Sequence, residues 1–267
     1  MRRIAMVAVL ALWGCTTVQR QQTERAVAEV LISDDQEFQL GLQVHEELKK
    51  QNTKFSEDPT VGLYVDGLAR KLVGQANQDR KVEWMWFVID DPNTINAFAT
   101  PGGRIYVYTG LLLAADSEAE IIGVLGHEIG HVVARHSARQ LVGAYGLQTV
   151  TEMALGKDAG DVSKLVAGLA GKGAMLAYGR DMELEADQYG ARYAAGAGYD
   201  PRGLATFFEK LKAKYGDTGP VLTWFSTHPS NTDRINRLTA YIAANNLAGT
   251  EAGGDGLKKV QAALGKK

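Results

Sequence analysis

His127, Glu128 and His131 stand in the run His-Glu-Ile-Gly-His, two imidazoles four residues apart with a carboxylate beside the first. On a helix, residues four apart share a face, so the two rings converge on one point. A convergent imidazole pair suits a small tetrahedral ion such as zinc, and Glu128 then reaches a water at that ion. Two ligands do not complete a catalytic zinc site, which takes three protein groups and keeps a position open. A third histidine in the pattern His-Glu-x-x-His-x-x-Gly-x-x-His would need a glycine at position 134 and a histidine at 137, where the chain has Ala134 and Ser137. His136, nine residues after His127, falls on the opposite face of a continuous helix and reads as a surface histidine.

The better third ligand lies in the run Arg180 to Asp187. Glu183 and Asp187 are four apart and share a helix face, so Glu183 binds the metal while Asp187 accepts the second ring N–H of a ligand histidine. Glu185, about 200° round from Glu183, points away. One zinc ion per chain, held by His127, His131 and Glu183, is the expectation. Zinc so held acidifies water from a pKa of about 15.7 toward about 7. Glu128 serves as general base and then hands the proton to a leaving amine.

Two kinds of element must position these groups. Ser117 and Glu120 form a capping-box pattern that opens the helix carrying the histidine pair. Gly123, Gly126 and Gly130 are poor helix formers in its middle, and their spacing leaves one flank bare for close approach by another helix. Met182 to Ala195 reads as the helix that brings Glu183, followed by helices over Pro201 to Tyr215 and Thr232 to Asn245. Upstream, Ser33 with Gln36 caps a helix running to about Lys50. A second amphipathic helix covers Val61 to Ala76, with Leu63, Val65, Leu68, Leu72 and Val73 on its apolar side. Between them and the histidine helix, the aromatic run Val82 to Ile89 and the short runs Ala97 to Thr100 and Arg104 to Thr109, around Pro101-Gly102-Gly103, read as strands. The fold class is mainly α with a small antiparallel β-sheet (α+β). Residues 156–174, rich in Gly and Ala, read as a loop over the cleft.

The chain has 267 residues, 45% hydrophobic and 22% charged, enough for one full core. A net charge of −2 offers no basic field, so no nucleic-acid partner is expected. Met1-Arg2-Arg3 followed by the apolar run Ile4 to Leu12 is too short to span a bilayer and reads as a signal segment. Leu12-Trp13-Gly14-Cys15 resembles the bacterial lipoprotein signal, which implies lipidation at Cys15; the resemblance, with Thr16 rather than Asp next, implies the outer membrane. Cys15 is the only cysteine and has no intrachain disulfide partner. The organisation reads as a signal over 1–14, a tether over 15–32, a catalytic domain over 33–245 and a flexible tail over 246–267.

His127-Glu128-x-x-His131 with Arg180-x-x-Glu183-x-x-Ala186-Asp187 resembles the M48 zinc metallopeptidases. Further stretches carry the likeness: Asn96-Ala97-Phe98-Ala99-x-Pro101-Gly102-Gly103-x-Ile105-Tyr106-Val107, Thr109-Gly110-Leu111-Leu112, Ala197-Gly198-Tyr199-Asp200-Pro201, and Thr227-His228-Pro229 with Arg234-Ile235. The resemblance spans about residues 33–245 and implies a zincin-type metallopeptidase fold and a metalloendopeptidase acting on unfolded or misfolded envelope proteins. It implies a small lipoprotein member at the periplasmic face of the outer membrane in Gram-negative bacteria, tethered through Cys15. It nominates His228 or Arg234 as the second donor to the developing oxyanion. In some periplasmic relatives the Thr-His-Pro histidine caps the zinc, so for His228 a regulatory ligand, an oxyanion donor and a plain loop residue all stay open. The strand Arg104 to Thr109 is expected to pair with extended substrate. The alternative reading is a lipoprotein with a chaperone or binding role and a latent zinc site. A purely structural zinc fits poorly, since such sites are closed by four ligands, mostly cysteine.

Overall fold

Ser33 opens helix α1 (Asp34–Lys50) with a complete capping box, its hydroxyl accepting from the Gln36 amide at 3.2 Å while Gln36 Oε1 accepts from the Ser33 amide at 2.9 Å. The computed structural model describes residues 32–157, 160–164, 178–216, 228 and 232–265. The expected signal, Cys15, nearly all of the tether and much of the Gly/Ala-rich stretch lie outside the described residues. Helix α2 (Pro59–Asp79) starts with Asp58 as its cap and a proline in its first turn. Its buried stripe is Val61, Val65, Leu68, Leu72 and Ala76, a spacing of three and four. Leu63 is off that stripe and 71% exposed, against expectation. Two residues on from Val61, it is turned about 200° away from the core.

Three strands follow: β1 (Met85–Ile89), β2 (Ala97–Thr100) and β3 (Arg104–Tyr108), in the order β1-β3-β2. The β2–β3 hairpin is antiparallel across a turn in which Gly102 and Gly103 both take positive φ, 77° and 90°. The sheet is mixed rather than antiparallel, because β1 joins the far side of β3 in parallel register, Met85 opposite Arg104. Residues 90–96 carry the chain past the position beside β1, so the hairpin returns with β3, not β2, in the centre. The expected pairing of substrate with Arg104 to Thr109 is thereby overturned, since both sides of β3 are taken. Alternate residues of β3 serve two cores. Ile105 and Val107 join the larger cluster with α2 and the histidine helix, whereas Tyr106 and Tyr108 join a smaller one with Leu40, Val44 and Leu48 of α1.

Further helices are α3 (Thr109–Ala114), α4 (Glu118–Val133), α5 (His136–Tyr145), α6 (Leu147–Ala154), α7 (Arg180–Gly196), α8 (Gly203–Tyr215), α9 (Thr232–Ala244) and α10 (Asp255–Gly265). Only half of the box at α4 forms. The Ser117 hydroxyl accepts from the Glu120 amide at 3.3 Å, but Glu120 accepts from the Asp116 amide at 2.8 Å and pairs with Lys210. The expected flexible tail is corrected too. Helix α10 buries Leu257, Val260 and Leu264, and Gln261 Nε2 donates to the Leu112 and Ala115 carbonyls at 3.0 and 2.8 Å. Apolar residues three and four apart give even this short basic segment a face to bury. Among the described residues, no helix is long and apolar enough to cross a membrane.

Candidate metal centre

The three glycines of α4 decide where the third ligand stands. A Cβ on Gly126 would lie 3.0 Å from the Gly190 Cα, and one on Gly130 would lie 2.8 Å from the Ala186 carbonyl oxygen. Helix α7 therefore packs on α4 backbone to backbone, at the Gly126–Gly190 pair and where Gly130 meets Ala186. A Cβ on Gly123 would meet the Leu204 amide at 2.4 Å, so the same bare flank also admits α8. Glu183, one turn before Ala186 on α7, is carried by this contact to the histidine face of α4.

His127, His131 and Glu183 come together as the spacing predicts, and His228 joins them, the four donor atoms lying within 4.8 Å of one another. His127 Nε2 lies 2.9 Å from His131 Nε2 and 3.2 Å from His228 Nδ1. Glu183 Oε1 lies 3.5 Å from His131 Nε2 and 3.2 Å from His228 Nδ1, and Glu183 Oε2 lies 3.6 Å from His127 Nε2. Ligands at zinc–nitrogen and zinc–oxygen bond lengths near 2.0–2.2 Å in a tetrahedron sit about 3.3 Å apart. The donor separations match that edge. All four side chains are buried, and imidazole and carboxylate are zinc's preferred nitrogen and oxygen donors. The residues fit a zinc ion.

Glu128 is fully buried beside this cluster, and neither carboxylate oxygen has a hydrogen-bond partner of good geometry among the described residues. His228 Nε2 lies 3.4 Å from Glu128 Oε1, and the backbone of Ala99 lies against the carboxylate. Burial pushes the Glu128 carboxyl up, with His228 and His127 opposing. Burial would raise Glu183 as well, but Arg234 and His228 overcome it and hold that carboxyl well below the usual range. His131 is held well below its ordinary value, first by burial and then by His127, so its ring is neutral, the form that ligates. His228 goes the other way: burial lowers it, but Glu128 and Glu183 together raise it.

Asp187 does what its spacing predicts, standing 2.9 Å from His127 Nδ1 with Oδ1. Its charge is secured from behind by Arg234 on α9, whose Nε and Nη2 donate to the two Asp187 oxygens at 2.6 and 2.7 Å. Arg234 Nη1 also pairs with Glu183 Oε2. Burial opposes ionisation of Asp187, and Arg234 prevails, lowering its carboxyl. Of the two nominees for oxyanion donor, Arg234 has its guanidinium engaged by these two carboxylates. Its position is that of a clamp on the ligand set.

His136 overturns expectation. It is fully buried, with its Nδ1 2.8 Å from His131 Nδ1. Helix α4 ends at Val133, and Arg135 takes a left-handed conformation (φ 59°, ψ 31°), which turns the chain so that His136 starts a new helix. Counting nine residues round one continuous helix therefore misplaces it. No sequence signal marks the break, because a left-handed arginine carries none. Its side chain holds it there, donating to Glu37 Oε1 at 2.6 Å and to the Ile32 carbonyl. Glu185, expected to point away, does leave the cluster but meets His136 Nε2 at 3.1 Å. Tyr178 was also unforeseen: its ring stacks on His131 at 4.0 Å and 22°, with its hydroxyl 2.8 Å from Ser137 Oγ.

Comparison with known proteins agrees with this geometry. The chain is 31% identical over 218 residues to the beta-barrel assembly-enhancing protease of Escherichia coli (strain K12), covering 76% of this chain and 43% of that one. It is 34% identical over 188 residues to the mitochondrial metalloendopeptidase OMA1 of Schizosaccharomyces pombe, covering 70% and 54%. With OMA1 of Arabidopsis thaliana it shares 39% identity over 160 residues, covering 59% and 31%. The chain thus spans about half or less of the curated relatives it matches. The sequence profile of Peptidase family M48 matches residues 61–242, a stretch that holds His127, His131, Glu183, His228 and Arg234 alike, and the chain belongs to that family.

Proposed function

We propose that this protein is a zinc-dependent endopeptidase that hydrolyses peptide bonds in unfolded or misfolded envelope proteins. The observation that carries the reading is the buried cluster of His127, His131, Glu183 and His228 with the Glu128 carboxylate alongside it, raised by burial and without a good hydrogen-bond partner. When bound, zinc supplies Lewis-acid activation of water and polarisation of the scissile carbonyl. The chain's own residues supply the proton transfers and the alignment. Glu128 takes the proton of the attacking water and delivers it to the leaving amine, a role suited to a carboxyl of raised basicity. Asp187 fixes the orientation of His127, and Arg234 keeps both Asp187 and Glu183 ionised.

Extended substrate pairs with β2, the sheet edge next to Glu128. The Tyr108 amide donates to the Asn96 carbonyl at 3.0 Å, so by alternation Ala97 and Ala99 direct their backbone groups away from β3. Backbone pairing of that kind ignores sequence and selects for unfolded chain. A site with four protein donors is closed, and catalytic zinc sites keep a position open. His228 therefore acts as a resting cap that withdraws during turnover. For location, the resemblance of Cys15 to a lipidated cysteine and the beta-barrel assembly-enhancing relative support the periplasmic face of the outer membrane, tethered by lipid.

The test is Glu128→Gln in the full chain. It is expected to keep stoichiometric zinc and lose cleavage of casein by at least about a hundredfold. Undiminished turnover would refute the assignment. In the same assay His228→Ala is expected to raise turnover; a loss would give His228 to the oxyanion instead. Because four donors also suit a latent site, a second reading is a chaperone or binding lipoprotein. Full rescue of an envelope defect by the Glu128→Gln variant would favour it.

A further inference from the structure

Among the described residues, three positions other than glycine take positive φ: Asn52, Arg135 and Asn246. Asparagine tolerates that region through local hydrogen bonds of its short side chain, whereas an arginine must be held there from outside. The holder is Glu37, in the first turn of α1 and buried like Arg135 itself. Arg135 Nε donates to Glu37 Oε1 at 2.6 Å, and Arg135 Nη2 donates to the Ile32 carbonyl. Glu37 Oε2 is fixed from its other side by Arg80 Nη2 at 3.0 Å. Arg80 Nη1 also donates to the Val132 carbonyl at 2.9 Å, an acceptor in the last turn of α4. We propose that Glu37 is a positioning residue for the metal centre, which through Arg135 holds the left-handed break just after His131. The inference rests on the zinc-site reading and extends it to a carboxylate outside the donor cluster.

The break matters because of what it brings against His131. The Ala134 amide donates to the Gly130 carbonyl at 2.9 Å and the Arg135 amide to the Val132 carbonyl at 3.1 Å. Helix α4 thus stays regular through the turn that carries His131 and stops directly after it. With residue 135 right-handed the helix would run on, and the next residues would be carried round to other faces. His136 could then not stand 2.8 Å from His131, nor Ser137 Oγ 2.8 Å from the hydroxyl of Tyr178, whose ring stacks on His131. The same turn of α1 also touches the end of β2. A Cβ on Gly102 would lie 2.5 Å from the Phe38 Cα and 2.7 Å from the Glu37 carbonyl oxygen. Glu37 therefore meets the end of α4 with its side chain and the turn after β2 with its backbone.

Two variants at residue 135 separate this role from a plain contribution to stability. Arg135→Ala and Arg135→Gly both delete the guanidinium, but only glycine enters the left-handed region without a steric cost. Chelator competition on the full chain is expected to show zinc binding about tenfold weaker in Arg135→Ala, where the binding-competent backbone becomes a minor population. Arg135→Gly is expected to stay within about threefold of the wild type. Glu37→Gln is expected to weaken binding about tenfold with arginine at 135 and less than about threefold with glycine there. Equal affinities in the alanine and glycine variants, or equal losses from Glu37→Gln in both backgrounds, overturn the proposal. Should Arg135→Ala fail to fold, through-bond couplings that report φ at residue 135 decide, measured on the zinc-free full chain. Positive φ is expected in the wild type and a mixture of conformations in Glu37→Gln; an unchanged positive φ in that variant overturns the proposal. Those couplings need no metal, and the zinc reading falls separately if the wild-type chain takes up no zinc.

Discussion

The two histidine ligands are supported from behind in different ways. His127 is backed directly by a carboxylate, Asp187, which is fully buried and gripped at both oxygens by Arg234. His131 is backed by another imidazole, His136, and meets its carboxylate, Glu185, only at second hand and nearer to solvent. The first arm draws on α4, α7 and α9, so it closes only when three distant stretches of chain have packed. The second draws on α5, immediately after the break at Arg135, with α7. Charge compensation therefore matters most in the first arm, where the carboxylate and its arginine are both buried. In the second arm the Glu185 side chain is 14% exposed, so its charge depends less on Arg139.

That asymmetry makes predictions of unequal size. Arg234→Met leaves Asp187 and Glu183 ionised and uncompensated in the interior, and is expected to destabilise the protein by about 3–5 kcal/mol. The variant is also expected to lose zinc; denaturant unfolding and metal content check both. A loss under about 1 kcal/mol would mean that the first arm is not the stronger one.

The next effect is the acid limb of stability. Asp187 and Glu185 are both held below the usual carboxylate range, against burial, chiefly by Arg234 and by His136 respectively. As pH falls the unfolded chain takes up protons first, near the ordinary carboxylate values of about 4. Stability from these groups is therefore complete above that value and lost as pH drops through the lower folded values. Urea midpoints of the zinc-free protein are expected to hold from neutrality to about pH 5 and then fall. A smaller acid dependence in Arg234→Gln than in the parent checks the source. The smallest effect is Arg139→Met, expected to weaken zinc binding less than tenfold, the low end of the range for partners behind metal ligands. A change as large as that of Arg234→Met would erase the distinction between the arms.

Much of the first arm was legible in the sequence. His127, His131, Glu183 and Asp187 stand in helical spacings of four, and a helix converts that spacing into a shared face by local geometry alone. Gly123, Gly126 and Gly130 likewise announced a close approach, although not that it would involve both α7 and α8. The second arm was not legible, because it depends on one residue leaving helical conformation. Arg135 is held left-handed by Glu37 and the Ile32 carbonyl, contacts about a hundred residues away in the chain, and periodicity cannot register them. Leu63 fell outside its helix's stripe for a simpler reason, since apolar type is a weaker guide than its angle round the axis.

By itself the sequence determined the ligand chemistry, the capping of α1 and, in the main, the helices that carry the site, because these are set by residue type and by spacings within one turn or two. Only the tertiary structure decided that β3 is the central strand, that α10 docks, that His228 closes the ligand cluster and that His136 turns inward to His131. Each of those outcomes depends on which distant surfaces win the competition for burial and for compensating charge, and that competition is settled in three dimensions.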